Sequence, residues 1–223
     1  MFHSYTEEWE ISQSFPPGYN TAMAQVRLTT PVDEASIRQL KAGDEVLISG
    51  RIFTGRDAVH KYLADGGALP DGVDLAGGII YHCGPVVVEG EASGKKTYRI
   101  TAAGPTTSIR EEPYQAALIA KFGLRGVIGK GGMGLKTLGA CQSEGAVYLH
   151  AVGGAAQVYA ECILGVEDVY FKEEFGSPEA IWVLQVKDFP CIVTMDSHGG
   201  SLHEEVQASS LDKLKAALAT PSG

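Results

Sequence analysis

The sequence predicts an α/β domain, a mixed β-sheet with helices packed on it. Three observations carry that prediction. Short runs rich in Val and Ile, such as residues 45–53, alternate with segments of helical spacing, such as residues 56–63. Several connections have only hairpin length, which calls for antiparallel neighbours beside parallel ones. The 223 residues, 44% apolar and 20% charged, suffice for a real core and fit a globular chain.

The elements follow in order. Residues 1–22 are expected to form an N-terminal arm, flexible or partner-bound, in which Pro16, Pro17 and Gly18 break any periodicity, while Phe2, Tyr5, Trp9 and Phe15 are unusual for a purely solvated tail. The domain proper is residues 23–223. A strand is expected over 24–28, a helix over 32–40 with Asp33 and Glu34 in its first turn, and a strand over 45–53. Thr54 and Gly55 break that strand, and a helix follows over 56–63. Strands at 79–81 and 86–89 flank the turn Cys83–Gly84–Pro85, and a strand over 98–102 runs into Gly104–Pro105. Pro113 fits the first turn of a helix continued by Tyr114, Ala117, Leu118 and Phe122. Strands at 126–128 and 146–150 alternate with helices at 134–141 and 154–161. Strands over 166–171, 180–186 and 191–196 precede a closing helix over 211–218, with Ser210 as its N-cap.

The formal net charge of −9 does not suit sequence-independent nucleic-acid binding, so any basic site is a local patch. No apolar run reaches the roughly 18 residues of a membrane span, and residues 1–14 lack the basic start and apolar stretch of a secretory signal. A cytoplasmic chain is expected. Cys83, Cys141, Cys162 and Cys191 contain no CxxC pair, which leaves reduced, mostly buried thiols and no metal site on this chain.

Four segments carry chemistry. Gly129–Lys130–Gly131–Gly132–Met133–Gly134 satisfies GxGxxG. The following strand ends in His150 rather than an acidic residue, and Lys130 is followed by Gly131 rather than Ser or Thr, so neither dinucleotide nor nucleoside-triphosphate patterns are met. A glycine-flanked lysine with open backbone N–H groups still makes an anion site. Arg56 stands at a helix start. Residues 104–110 offer three hydroxyls and Arg110 after a strand, and residues 81–85 turn after another. Such a set suits a small dianion, since arginine grips a carboxylate bidentately. The same residues also fit plainer roles: Arg56 paired to a surface carboxylate, Thr106–Ser108 capping a helix.

In combination these segments resemble the β subunit, or C-terminal domain, of class I iron–sulfur fumarases and the related L-tartrate dehydratases. The matching stretches are TGRDAVH (54–60), GGIIYHCGP (77–85), GPTTSIR (104–110), IGKGGMG (128–134), GAVYLHAVGGAA (145–156), EEFGSPEAIWVLQVKDFP (173–190) and TMDSHGGSL (194–202), together spanning about 24–205. The resemblance implies a swivelling β/β/α domain. It implies a separate, larger α subunit that holds a [4Fe–4S] cluster through three cysteines, in an α2β2 hetero-oligomer. By the same resemblance Arg56 and Arg110 bind substrate carboxylates, Thr106 is the catalytic base, and Lys130 contacts substrate and assists catalysis. The implied activity is reversible dehydration of a 2-hydroxy dicarboxylate, malate to fumarate first and L-tartrate second. A non-catalytic anion-binding module of the same fold is the reading from another class. One departure stands out: where the family commonly has Met after the second arginine, this chain has Glu111 and Glu112.

Overall fold

The computed structural model describes residues 25–219. The arm expected over residues 1–22 lies outside that range. In chain order the elements are β1 (Gln25–Thr29), α1 (Glu34–Ile37), β2 (Glu45–Thr54), α2 (Asp57–Ala64), β3 (Ile79–Tyr81), β4 (Val86–Ala92), β5 (Lys95–Ala102), α3 (Glu112–Phe122), β6 (Gly126–Gly129), α4 (Leu135–Glu144), β7 (Val147–His150), α5 (Ala156–Glu161), β8 (Ile163–Tyr170), α6 (Lys172–Phe175), β9 (Ile181–Met195) and α7 (Leu202–Ala219). Short 3-10 turns at Ser108–Glu111 and Ser177–Glu179 precede α3 and β9.

Seven strands form one mixed sheet in the order β1-β2-β3-β6-β7-β9-β8, and β4–β5 is a separate hairpin. β1, β2, β3, β6 and β7 are mutually parallel, while β9 runs antiparallel to β2, β7 and β8. Because β9 pairs with both β7 and β2, the sheet closes on itself, and alternate residues face opposite sides. Ile79, Tyr81, Ile128, Val147, Leu149, Leu184 and Val186 pack in one buried cluster. Their neighbours Ile80, Val127, Tyr148 and Val183 pack in a second cluster, against Val59 and Leu63 of α2, Leu118 and Ile119 of α3 and Leu138 of α4. Each fully buried side chain of this kind stabilises the fold by about 1.5–3 kcal/mol before entropy is set against it. The α/β class and the mixed sheet are as expected.

Three elements differ from the sequence reading. The helix over 32–40 shrinks to the single turn α1, capped by Asp33 Oδ1, which accepts from Ser36 N–H at 2.8 Å. The strands over 180–186 and 191–196 are one strand, β9. Asp188, at φ +50°, and Pro190, with no N–H to give, read as breakers but only interrupt the ladder there. The first half pairs with β8, the second with β7, and both with β2. The closing helix α7 starts at Leu202, not 211. Ser201 Oγ accepts from Glu204 N–H at 3.4 Å, so Ser201 caps it and Ser210 lies inside. No helix among the described residues is long and apolar enough to cross a membrane.

Candidate active site

In α/β folds, open or closed, ligands bind beyond the carboxyl ends of the parallel strands, where the connecting loops diverge. Here those ends carry the polar residues singled out from sequence. Arg56 follows β2 and is the N-cap of α2. His82 follows β3, Lys130 follows β6, and His150 ends β7. The segment Thr106–Ser108 is laid across these ends. Thr106 N–H donates to the His82 carbonyl at 2.6 Å, Lys130 N–H to the Thr106 carbonyl at 3.2 Å, and Ser108 N–H to the Lys130 carbonyl at 3.0 Å. Gly129 permits this close crossing, because a Cβ there would sit 1.8 Å from Ser108 Oγ.

The arginine side of the rim is held by carboxylates. Arg56 Nε lies 3.3 Å from Glu179 Oε1, without the alignment of a hydrogen bond. Glu179 Oε2 accepts from Ala58 N–H at 3.0 Å and thereby caps α2. The Arg56 guanidinium passes over Gly84, where a Cβ would meet Nη1 at 2.7 Å. Arg110 pairs with Asp57, the residue after Arg56 in the chain, which brings both arginines to one end of α2. Arg56 therefore does have the carboxylate partner that sequence left open.

The lysine side is held by hydroxyls and backbone. Lys130 Nζ donates to Thr107 Oγ1 at 2.6 Å. The hydroxyl in contact with the ammonium is thus that of Thr107, next to the expected Thr106. Glu112 anchors the far end of the glycine loop, accepting from Gly134 N–H at 2.8 Å, Lys136 N–H at 3.0 Å, Thr137 N–H at 3.3 Å and Thr137 Oγ1 at 2.6 Å. The N-terminus of α4 is the place where a GxGxxG loop would seat a pyrophosphate, and this carboxylate fills it. Beside Lys130, the half-buried His150 has its Nδ1 buried without a hydrogen-bond partner. Burial, and next the Lys130 ammonium, hold its pKa below the ordinary histidine value, so the imidazole is neutral.

Beneath the rim lies a chain of buried side chains. His60 Nδ1 lies 2.9 Å from the Arg56 carbonyl oxygen, and the Gln115 side-chain amide lies 2.9 Å from Nε2 of both His60 and His82. His82 Nδ1 lies 2.9 Å from Ser108 Oγ, which also accepts from Tyr148 OH at 2.8 Å. Burial lowers the pKa of both histidines, that of His82 strongly, so both are neutral. A carbonyl only accepts, so His60 donates from Nδ1 and accepts at Nε2. Oriented with its NH2 group toward the imidazoles, the Gln115 amide donates one N–H to each, which gives its nitrogen the partners that the opposite orientation denies it. The chain ties the backbone of Arg56, the turn after β3 and Ser108 into one frame. His82 and Cys83 are fully buried behind it.

Arg56, Thr106, Arg110 and Lys130 are thus brought to one edge of the sheet, linked through Asp57, His82 and the Thr106–Ser108 crossing. Sequence reasoning missed Thr107, Gln115, Glu179 and the anchoring role of Glu112. His150 was legible as the polar end of an apolar strand, but nothing in the sequence set it beside Lys130. Two grooves of about 370 and 420 Å3 lie elsewhere on the surface, and of the rim residues only His150 lines either one.

Residues 3–206 match the family model described as fumarase C-terminus, a match that takes in most of the predicted arm. A Geobacillus stearothermophilus protein with the provisional name fumarate hydratase class I is 59% identical over 189 residues, 85% of this chain and 35% of that protein. The chain thus spans about a third of that relative's length. A Methanocaldococcus jannaschii protein provisionally named L(+)-tartrate dehydratase subunit beta is 39% identical, over 80% of this chain and 91% of its own. The L(+)-tartrate dehydratase subunit beta of Escherichia coli is 36% identical, over 80% of this chain and 86% of its own.

Proposed function

This chain belongs to the fumarase C-terminus family, and on that premise we propose that it is the substrate-gripping part of a hydro-lyase that reversibly dehydrates a small 2-hydroxy dicarboxylate, malate to fumarate in the first instance. The observation that supports this reading is the gathering of Arg56, Arg110 and Lys130, with the hydroxyls of Thr106 and Thr107, on one partly exposed rim.

The chemistry asks for such a rim. The C3 proton of malate is very weakly acidic, and its loss puts enolate-like charge on a carboxylate. Fixed cations act most strongly on charge that grows in the transition state. Arg56 and Arg110 hold the carboxylates bidentately, exchanging Glu179 and Asp57 for the ligand. Lys130 stabilises the developing charge, and Thr106, as its alkoxide, takes the C3 proton while the C2 hydroxyl departs as hydroxide.

A [4Fe–4S] cluster does not fit the donors of the described residues. Among the described residues no three His, Cys, Asp or Glu side chains gather as metal ligands. Burial pushes the Cys83 and Cys141 thiols up to about 12, away from the thiolate form that binds iron. The cluster belongs in this reading to a partner α subunit, in a cytoplasmic α2β2 assembly. L-tartrate is the second reading, favoured by the two relatives whose lengths this chain nearly spans.

Co-expression with a fumarase-type α subunit, anaerobic cluster loading and assay against malate, fumarate and L-tartrate tests the proposal. Turnover of malate and fumarate by the complex, and none by this chain alone, is expected. Turnover by the chain alone contradicts the division of labour.

A further inference from the structure

Two consecutive glutamates follow Arg110, and their surroundings are opposite. Glu112 is committed to four donors at the start of α4. Glu111 is fully buried, and among the described residues neither of its carboxylate oxygens has a hydrogen-bond partner. A buried polar group without partners is rare in a folded protein and marks a place with a use. This one sits among the groups assigned to the ligand grip.

The charged groups facing it come from three elements. Its own 3-10 turn carries Arg110, and the start of α2 carries Arg56. The turn before β9 carries Glu179. Among the other titratable groups of these packed elements, Asp57 is paired with Arg110, Lys61 with Asp65, and His60 is neutral and bonded to Gln115. α3 contributes Glu112, turned to α4, Tyr114, and Lys121, whose ammonium donates to the Leu63 carbonyl at 3.3 Å. Neither arginine donates to Glu111, because each faces another carboxylate. Burial therefore prevails over the attraction of Arg110, Glu179 adds repulsion, and the carboxyl is pushed up to about 7.

We propose that Glu111 is a positioning residue that sets the free positive charge of the Arg56–Arg110 grip: neutral, it leaves both guanidinium groups to a dianionic ligand, and ionised, it draws them inward and weakens that ligand's hold. This rests on the reading above that these arginines grip substrate carboxylates. The sign follows from linkage. If the ionised carboxyl opposes the dianion, the dianion favours the protonated carboxyl, so binding takes up a proton, and affinity falls as pH rises through about 7.

Two measurements test it. In the full chain with 13C-labelled glutamate and 15N-labelled arginine, one carboxyl signal titrates near pH 7, disappears in Glu111→Gln, and moves the Arg56 and Arg110 side-chain signals with the same midpoint. A Glu111 signal titrating in the ordinary carboxylate range, or arginine signals indifferent to it, overturns the proposal whatever the protein's activity. In the complex with the α subunit, KM for malate rises about fivefold or more between pH 6 and 8. Glu111→Gln and the apolar Glu111→Met, which leaves no orphaned group behind, flatten that rise. Wild-type pH dependence retained in both variants overturns the proposal while leaving the hydro-lyase reading intact. A complex inert to malate, fumarate and tartrate overturns that reading instead, and the carboxyl titration in the chain then decides the role of Glu111.

Discussion

The two sides of the rim are built differently. On the lysine side, Lys130 bonds to a neutral hydroxyl, and its loop is pinned by Glu112 and the Thr106–Ser108 crossing. On the arginine side, each guanidinium is matched to an internal carboxylate, Glu179 or Asp57, with the unpartnered Glu111 close by. A cation bonded only to a neutral partner keeps its full charge for a ligand. One paired to a carboxylate must exchange partners, so its contribution is a difference between two ion pairs. The lysine side is therefore preorganised and the arginine side exchangeable.

Lys130→Met has the largest expected effect on turnover. If the preorganised ammonium acts on developing charge, kcat of the complex falls about a hundredfold, more than KM rises. An increase in KM alone makes Lys130 a ground-state binder and removes the contrast.

Glu111→Gln reads the exchangeable side through stability. The folded-state pKa of Glu111, about 7, lies above the ordinary 4.5, so the folded protein binds the extra proton between those values. The wild type then loses stability as pH rises from about 4.5 to about 7. The loss between pH 5 and pH 8 is about 2–3 kcal/mol, at about 1.4 kcal/mol per pH unit of displacement. Chemical denaturation at the two pH values should show Glu111→Gln gaining by that amount relative to wild type at pH 8 over pH 5. An equal difference at both pH values contradicts the buried protonated carboxyl.

Arg110→Lys keeps the charge and loses the bidentate fork, so kcat/KM of the assembled enzyme should drop about tenfold with folding intact. Unchanged kcat/KM removes Arg110 from the site. Glu112→Gln is the smallest: it replaces a charged acceptor at the α4 N-terminus and costs about 1 kcal/mol, seen as a lower Tm and faster amide exchange at Gly134 and Thr137. Unaltered exchange there means that the loop is anchored elsewhere.

Much of this was legible in the sequence, because local signals dominate it. The Val- and Ile-rich runs placed β2, β3, β6 and β7, and the glycine, arginine and hydroxyl motifs sit at their carboxyl ends. What escaped depends on contacts distant in the chain. That Asp57 takes Arg110, that Glu179 meets Arg56 across 123 positions of sequence, and that Gln115 joins two histidines are matters of packing. The long strand β9 reads as two in the sequence because Asp188 and Pro190 break a local pattern that the flanking strands restore. Glu111 and Glu112 look alike as letters, and only the folded environment, burial without donors against four donors, distinguishes the orphan from the anchor.

The most direct test of the shared rim is a crystal structure of the complex with the α subunit and a bound dicarboxylate. Ligand carboxylate oxygens are expected about 3 Å from the guanidinium of Arg56 or Arg110 and from Lys130 Nζ, with Glu179 or Asp57 released from its arginine. A ligand bound away from all three cations, with both internal ion pairs intact, would contradict the shared rim.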